Sequence, residues 1–343
     1  MKILNAIHAQ NIGGVDQVFR DYYEVLSAQG HEVALLISNN GRDDYAAKKI
    51  FKLRNLSQVF DFLHLLWIVN SFKPDLILCH SNRIMKWMRI LKFFSKTKSV
   101  AINHGISFKN SLHCKFVVSI NQQISDLVVA AGFNQAKSFV VSNVIKVDQK
   151  YWQKTLKKIP TIGIYGRIEP RKGFDILIKA AEILAKNGHD FRLKIGGFAP
   201  HRGYGWPDIN DCAREHNVFE KCQMVGTVLD KKKFFEDVDI FCVPSREEPF
   251  GLVILEGFLF STLVISSNTD GGKLLIKDGE DGVLFENNNA ADLARKIAEI
   301  LENPQIYQAL TSKAFTKLEK EFSFDSLAQQ MNQVLTKISQ TKC

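Results

Sequence analysis

The sequence predicts an α/β chain made of two doubly wound parallel-sheet domains, on three observations. Short apolar runs alternate with longer amphipathic stretches, as they do in β-α units wound on a parallel sheet. The alternation restarts once, after a polar, basic and aperiodic stretch at 142–160 that reads as a linker. The length of 343 residues, 45% hydrophobic with only 8 Pro, suffices for two cores.

In the first half the apolar runs 3–7, 33–37, 76–79, 100–103, 116–119 and 139–141 read as buried strands. Helical spacing fits 15–29, 56–72, 83–94 and 121–131 between them. In the second half the strand-like runs are 161–165, 191–195, 223–225, 240–243, 263–266 and 282–285. Helix-like stretches there cover 173–187, 208–217, 230–237 and 251–260, and three more close the chain near 290–302, 305–320 and 325–339. The expected domains are 1–150 and 151–324, with the last helix, 325–343, free to pack back on the first. Two such domains on one linker leave a cleft between the carboxyl ends of their sheets, where doubly wound folds take ligands.

Composition narrows the classes of function. The start, Met1-Lys2-Ile3-Leu4, runs straight into a strand-like stretch without the apolar segment and small-residue cleavage site of a secretory signal. No run reaches the roughly 20 apolar residues that span a bilayer. A cytoplasmic protein is expected, soluble or held at the inner face of a membrane. The six cysteines form no C-x-x-C pair, so neither a disulfide framework nor a zinc site is expected. The net charge of +9 is concentrated in the first half: residues 1–155 hold 20 Lys/Arg against 10 Asp/Glu, leaving 25 against 26 for the rest. Within it, 83–98 interleaves Arg83, Lys86, Arg89 and Lys92 with Ile, Met, Trp, Leu and Phe. That pattern fits a helix lying on an anionic membrane, and equally one whose apolar face enters the core.

The strongest signal is Glu248-Pro249-Phe250-Gly251-Leu252-Val253-Ile254-Leu255-Glu256, two acids eight positions apart after the buried run 240–243. A strand, a loop and a Gly at a helix start bring the amides of Phe250, Gly251 and Leu252 toward an anion or a sugar hydroxyl. Glu256 falls inside an apolar helix, where a carboxylate needs a partner; a ribose diol or an internal cation would serve. Upstream, Gly166-Arg167 and Lys172-Gly173 follow the first strand of the second half. Their cations suit a diphosphate leaving group that gains charge as its bond breaks. Gly13-Gly14 holds the matching place in the first half without the G-x-G-x-x-G spacing, and alone it reads as a tight turn. His80 and His104 each end an apolar strand and are expected to face the cleft. Asp237-Val238-Asp239 is too sparse for a divalent ion, and Asp239 reads as a strand-edge residue.

Together these residues resemble glycosyltransferase family four, the retaining glycosyl transferases group 1 with the GT-B fold of two Rossmann-like domains facing each other across a cleft. The glycine loop Gly13-Gly14-Val15-Asp16, the Arg167/Lys172 couple, Pro244-Ser245 and the E-x7-E segment carry the resemblance over nearly the whole chain. It implies that 1–150 is the acceptor side and 151–324 binds the nucleotide sugar. Arg167 and Lys172 would hold the donor diphosphate and Glu256 the ribose. Glu248 with Phe250, Gly251 and Leu252 would hold the transferred sugar, which His104 also contacts. Gly13 and Gly14 would approach donor phosphate or acceptor, and Val228 would lie near the base. The implied chemistry is transfer with retention, needing no metal and no cofactor beyond the nucleotide-diphosphate sugar, a UDP-sugar first and a GDP-sugar second. The implied partners are that donor, a lipid-linked or lipopolysaccharide-like glycan acceptor and an anionic membrane through 83–98; none is a nucleic acid. A sugar-nucleotide epimerase of the same fold and a non-catalytic nucleotide-sugar binder are the alternatives. The chain departs from the family pattern at Gly271-Gly272-Lys273-Leu274-Leu275, where Leu275 replaces the usual acid.

Overall fold

The computed structural model of the chain describes residues 1–8, 13–39, 45–54, 57–199 and 203–341. It divides into two compact units, 1–146 with 322–343, and 147–321.

The first unit is a seven-stranded parallel sheet. Its strands are β1 Lys2–Ala6, β2 Glu32–Ser38, β3 Ile50–Leu53, β4 Leu76–Cys79, β5 Lys98–Asn103, β6 Phe116–Ser119 and β7 Ser138–Val140, in the order β3-β2-β1-β4-β5-β6-β7. Helices cover both faces of such a sheet, so its strands are near-continuous apolar runs; Leu76, Ile77, Leu78 and Cys79 are all fully buried. The helix Phe324–Gln340 belongs to this unit. Lys98 Nζ donates to its Ile338 carbonyl at 2.7 Å and to that of Thr341 at 3.0 Å.

The second unit has six parallel strands, β8 Thr161–Arg167, β9 Arg192–Phe198, β10 Cys222–Gly226, β11 Ile240–Val243, β12 Leu263–Ser267 and β13 Val283–Phe285. Their order is β10-β9-β8-β11-β12-β13. Strand order reverses between β1 and β4 in the first unit and between β8 and β11 in the second, and in open α/β sheets ligands bind outside the carboxyl ends at that point.

Among the strands and α-helices of the described residues, β3 and the helix Asp270–Leu275 escape the sequence pattern. Of the two readings of the apolar face in 83–98, the structure takes the second. The helix Asn82–Leu91 turns Ile84, Met85, Trp87, Met88 and Leu91 into the first unit's core rather than outward. Core packing therefore claims the apolar face offered above to a membrane, and the cations Arg83, Lys86 and Arg89 remain exposed.

Candidate active site

At the reversal in the second unit, the loop after β8 and the loop after β11 meet. The first passes through a single 3-10 turn, Pro170–Lys172, into the helix Phe174–Lys186, with Gly173 at φ +69° as its cap. A Cβ on Gly173 would collide with the Pro244 carbonyl oxygen, so a residue without one lets the two loops touch. Arg246 fixes the contact. Its guanidinium grips Asp175 through two bonds of 2.9 and 2.8 Å, and its amide donates to the Arg171 carbonyl at 2.7 Å. Burial works to raise the Asp175 carboxyl, but the bonds and charge of Arg246 outweigh it and hold the acid below its usual range.

On this frame Lys172 Nζ lies 2.6 Å from Glu248 Oε2, with both side chains largely withdrawn from solvent. Arg167, at the end of β8, is half exposed and pairs with Glu169 at 3.1 Å, and Arg171 holds the other oxygen of that acid at 2.7 Å. Each cation proposed for a diphosphate thus already has a carboxylate partner. An anion entering here exchanges one partner for another and meets no bare charge, which keeps the cations in place before it arrives.

Phe250, Gly251 and Leu252 form the turn into the helix Leu252–Leu259, with Gly251 at φ +96°. The Gly271 amide donates to the Glu248 carbonyl at 2.7 Å, and a Cβ on Gly271 would run into the Phe250 carbonyl. The second glycine pair therefore backs the E-x7-E loop. Leu275, in the place of the familiar acid, is fully buried, and its carbonyl accepts from Lys317 Nζ at 2.8 Å.

Glu256 lies within the helix, with its side chain 8% exposed. Lys231 Nζ bonds its Oε1, while Oε2 is buried with no hydrogen-bond partner. Burial pushes its carboxyl up to about 8; the adjacent ammonium works in the opposite direction. An unpartnered buried oxygen is costly, and two hydroxyl donors of a diol would satisfy it. Val228 lies just after β10, where a Cβ on Gly196 would collide with its side chain. The acids of Asp237-Val238-Asp239 have structural partners: Asp239 is buried and accepts from the Thr161 amide at 2.8 Å, and Asp237 pairs with Lys194 at 2.9 Å. Among the described residues no group of three or more His, Cys, Asp or Glu could hold a metal ion.

In the first unit, His104 at the end of β5 stacks on His80 at the end of β4, with Nδ1 of His80 3.1 Å from Nε2 of His104. Phe19 and Tyr22 pack edge-on against His80, which is almost wholly buried. It is therefore enclosed, contrary to the expectation that it faces open space. Burial lowers His104 to about 4 and pushes His80 well below its ordinary value, the neighbouring His104 adding to the second effect. Both rings are neutral at pH 7. Gly13 caps the helix Gly14–Ala28 in extended backbone, and a Cβ there would meet nothing within 4 Å. No packing contact in the described structure demands a glycine at that cap.

Sequence reasoning missed Lys231, Glu169 and Arg246. Arg246 directly follows Pro244-Ser245, and Lys231 opens a run of three lysines after β10, so both stand at carboxyl ends of strands. That position was their only signal.

Residues 148–317 match the family model described as Glycosyl transferases group 1. The lipopolysaccharide core biosynthesis glycosyltransferase LpsE of Rhizobium meliloti is 25% identical over 346 residues, covering 98% of this chain and 99% of the relative. A glycosyltransferase structure from Rickettsia africae aligns with a TM-score of 0.85 at 20% identity over 99% of both chains. HepE from Anabaena, in complex with UDP and glucose, aligns with a TM-score of 0.84 at 19% identity over 98% of this chain and 99% of its own. These likenesses show the GT-B fold.

Proposed function

The chain belongs to the glycosyl transferases group 1 family and is a glycosyltransferase; from that premise we propose that it moves a sugar, with retention and without a metal ion, from a nucleotide-diphosphate donor to a lipid-linked or lipopolysaccharide-like cell-envelope glycan. One observation carries the reading: Lys172 stands 2.6 Å from Glu248 at the reversal point of the second sheet, with Arg167 ending the adjacent strand. A diphosphate there gains two cations, and its departure leaves them to the acids again. Glu248, with the turn at Phe250, Gly251 and Leu252, takes the transferred sugar, and the open oxygen of Glu256 takes the ribose, with Val228 near the base. From the first unit, His104 contacts the sugar and Gly13 and Gly14 approach phosphate or acceptor.

In this reading the nucleotide leaves from the face that the acceptor oxygen attacks. The state between them resembles an oxocarbenium ion, and a donor phosphate oxygen accepts the acceptor's proton. Preorganised positive charge on the leaving diphosphate supplies most of the stabilisation, so no protein nucleophile is required. The relative HepE is seen with UDP and glucose, which favours a UDP-sugar donor, and LpsE favours an envelope acceptor. The cations of 83–98 are proposed to meet an anionic membrane, as fits a peripheral protein at the inner face of the cell membrane. No helix among the described residues is long and apolar enough to cross one.

Incubation with UDP-glucose and an envelope lipid fraction tests this. Acceptor-dependent release of UDP, with the sugar delivered in its original anomeric configuration, is the expected result. An altered sugar still attached to UDP would mean an epimerase, binding without turnover a non-catalytic protein, and loss of transfer in EDTA a metal-dependent enzyme.

A further inference from the structure

The helix Gln58–Phe72 is apolar on its outer face as well as on the inner face formed by Leu65, Ile68, Val69 and Phe72. Val59, Phe60, Leu63 and Trp67 are 53–67% exposed, and its one acid, Asp61, is buried. Positions 59, 63 and 67 fall at i, i+4 and i+8, so they form one stripe along the helix. Ile90, Phe93 and Phe94 are also exposed, Phe93 at 77%. Val59 from the first set and Ile90 from the second line one groove of about 890 Å³, together with Phe62, Lys86, Trp87 and Arg89. Phe62 and Trp87 join its walls edge to face at 6.4 Å. A large apolar patch rimmed by charge marks an interaction surface.

Charge identifies the occupant. Between Leu76 and Ser125 the chain has eight Lys/Arg and no Asp or Glu. A second copy of the chain would set like charge against like charge across the surface. A bilayer with anionic headgroups offers phosphates to the rim and hydrocarbon to the stripe at the same time. Lys92 lies over the Phe93 ring at 5.2 Å, a cation and an aromatic already arranged as at a membrane interface.

Resting on the membrane reading given above for 83–98, we propose that the outer face of the helix Gln58–Phe72, led by Leu63 and Trp67, enters the headgroup–acyl boundary of an anionic bilayer while the exposed cations Lys86, Arg89 and Lys92 sit on its phosphates. The part assigned to the apolar stripe is new, because the apolar face of the neighbouring helix Asn82–Leu91 is buried.

Flotation of the full chain with vesicles of phosphatidylcholine, with and without phosphatidylglycerol, separates the two parts. The Leu63→Gln/Trp67→Gln variant alters exposed positions only, and its fold is checked by its circular dichroism and Tm. It is expected to lose about tenfold or more in partitioning onto the anionic vesicles while keeping the wild-type salt dependence. Lys86→Gln/Lys92→Gln is expected to lose binding on anionic vesicles and to flatten the salt dependence. Wild-type partitioning by the Leu63/Trp67 variant overturns the stripe and leaves the basic reading standing; wild-type behaviour of the Lys86/Lys92 variant overturns the basic reading. Failure of the unaltered protein to float with either vesicle sinks both. Light scattering that finds a dimer abolished by Leu63→Gln/Trp67→Gln would assign the surface to a second copy.

Discussion

Where strand order reverses in the second unit, ion pairs crowd the loops: Lys172 with Glu248, Arg167 and Arg171 with Glu169, and Arg246 with Asp175. At the same point in the first unit, His80 follows β4 and leans on His104, both kept neutral by burial. The two sheets are wound alike, so this contrast belongs to the loops. Paired charges hold cations in position for an anion that will replace their acids. A neutral imidazole pair cannot attract an anion, but it can hydrogen-bond to an uncharged hydroxyl.

The contrast breaks most visibly if the cations are removed. Lys172→Ala or Arg167→Ala is expected to lower kcat on the order of a hundredfold or more, the loss typical of a preorganised charge at a leaving group. His104→Ala removes a neutral group and is expected to cost roughly tenfold, the worth of one hydrogen bond. Steady-state kinetics on the same donor compares them. Equal losses on the two sides would mean that charge is not what separates the units, and near-normal turnover in both cation variants would remove them from the mechanism.

A second, smaller effect sharpens the comparison within the second unit. Glu256 is raised to about 8 in the folded chain, from an ordinary 4.5, so the fold holds a proton there across that window. Stability contributed by this proton is complete below the unfolded value and is lost as pH rises through about 8. Two hydroxyls donating to the carboxylate favour its ionised form, so donor binding should expel the proton. UDP affinity is therefore expected to strengthen from pH 6 to 8. Titration calorimetry in buffers of different ionisation enthalpy would register the released proton. Glu256→Gln should bind UDP about tenfold more weakly, with no such pH dependence. Proton-neutral binding by the unaltered chain would separate Glu256 from the donor.

Most of the framework was legible because parallel strands buried on both faces are short apolar runs, and 76–79, 116–119 and 240–243 coincide with β4, β6 and β11. The helix Asp270–Leu275 was not, since two glycines in its first turn are poor helix formers and its support comes from the Glu248–Phe250 loop against which Gly271 packs. The apolar face of 83–94 was legible as a face but not as buried or exposed, because that depends on the core it meets. The E-x7-E acids stood out by spacing. Lys172 stood out in its own loop, but its pairing with Glu248, 76 positions away, did not, nor did Lys231, 25 positions from Glu256. Such pairs are created by the winding of the sheet, and no local pattern encodes them.

The smallest expected effect tests the first unit's side of the contrast. One proton joins Nδ1 of His80 to Nε2 of His104, and the outer nitrogens, Nε2 of His80 and Nδ1 of His104, are buried without partners. If His80 donates, His104 presents an N–H at Nδ1; if His104 donates, it presents a lone pair there. His80 thus selects whether His104 offers a proton or accepts one, a positioning role. Replacing His80 by Phe keeps the ring packing and frees the tautomer, so turnover is expected to fall only a few-fold. The decisive readout is the nitrogen-15 spectrum of His104, which should shift toward a mixture of tautomers. Stability supplies a second measure. A histidine whose folded value is depressed contributes fully above 6.5 and less as pH falls toward about 4, because the unfolded chain takes up the proton first. Urea unfolding at pH 7 and pH 5 should therefore show a smaller acid loss in His80→Phe than in the unaltered chain, one depressed imidazole having gone. Equal losses, with an unmoved His104 spectrum, would show that the two rings merely pack.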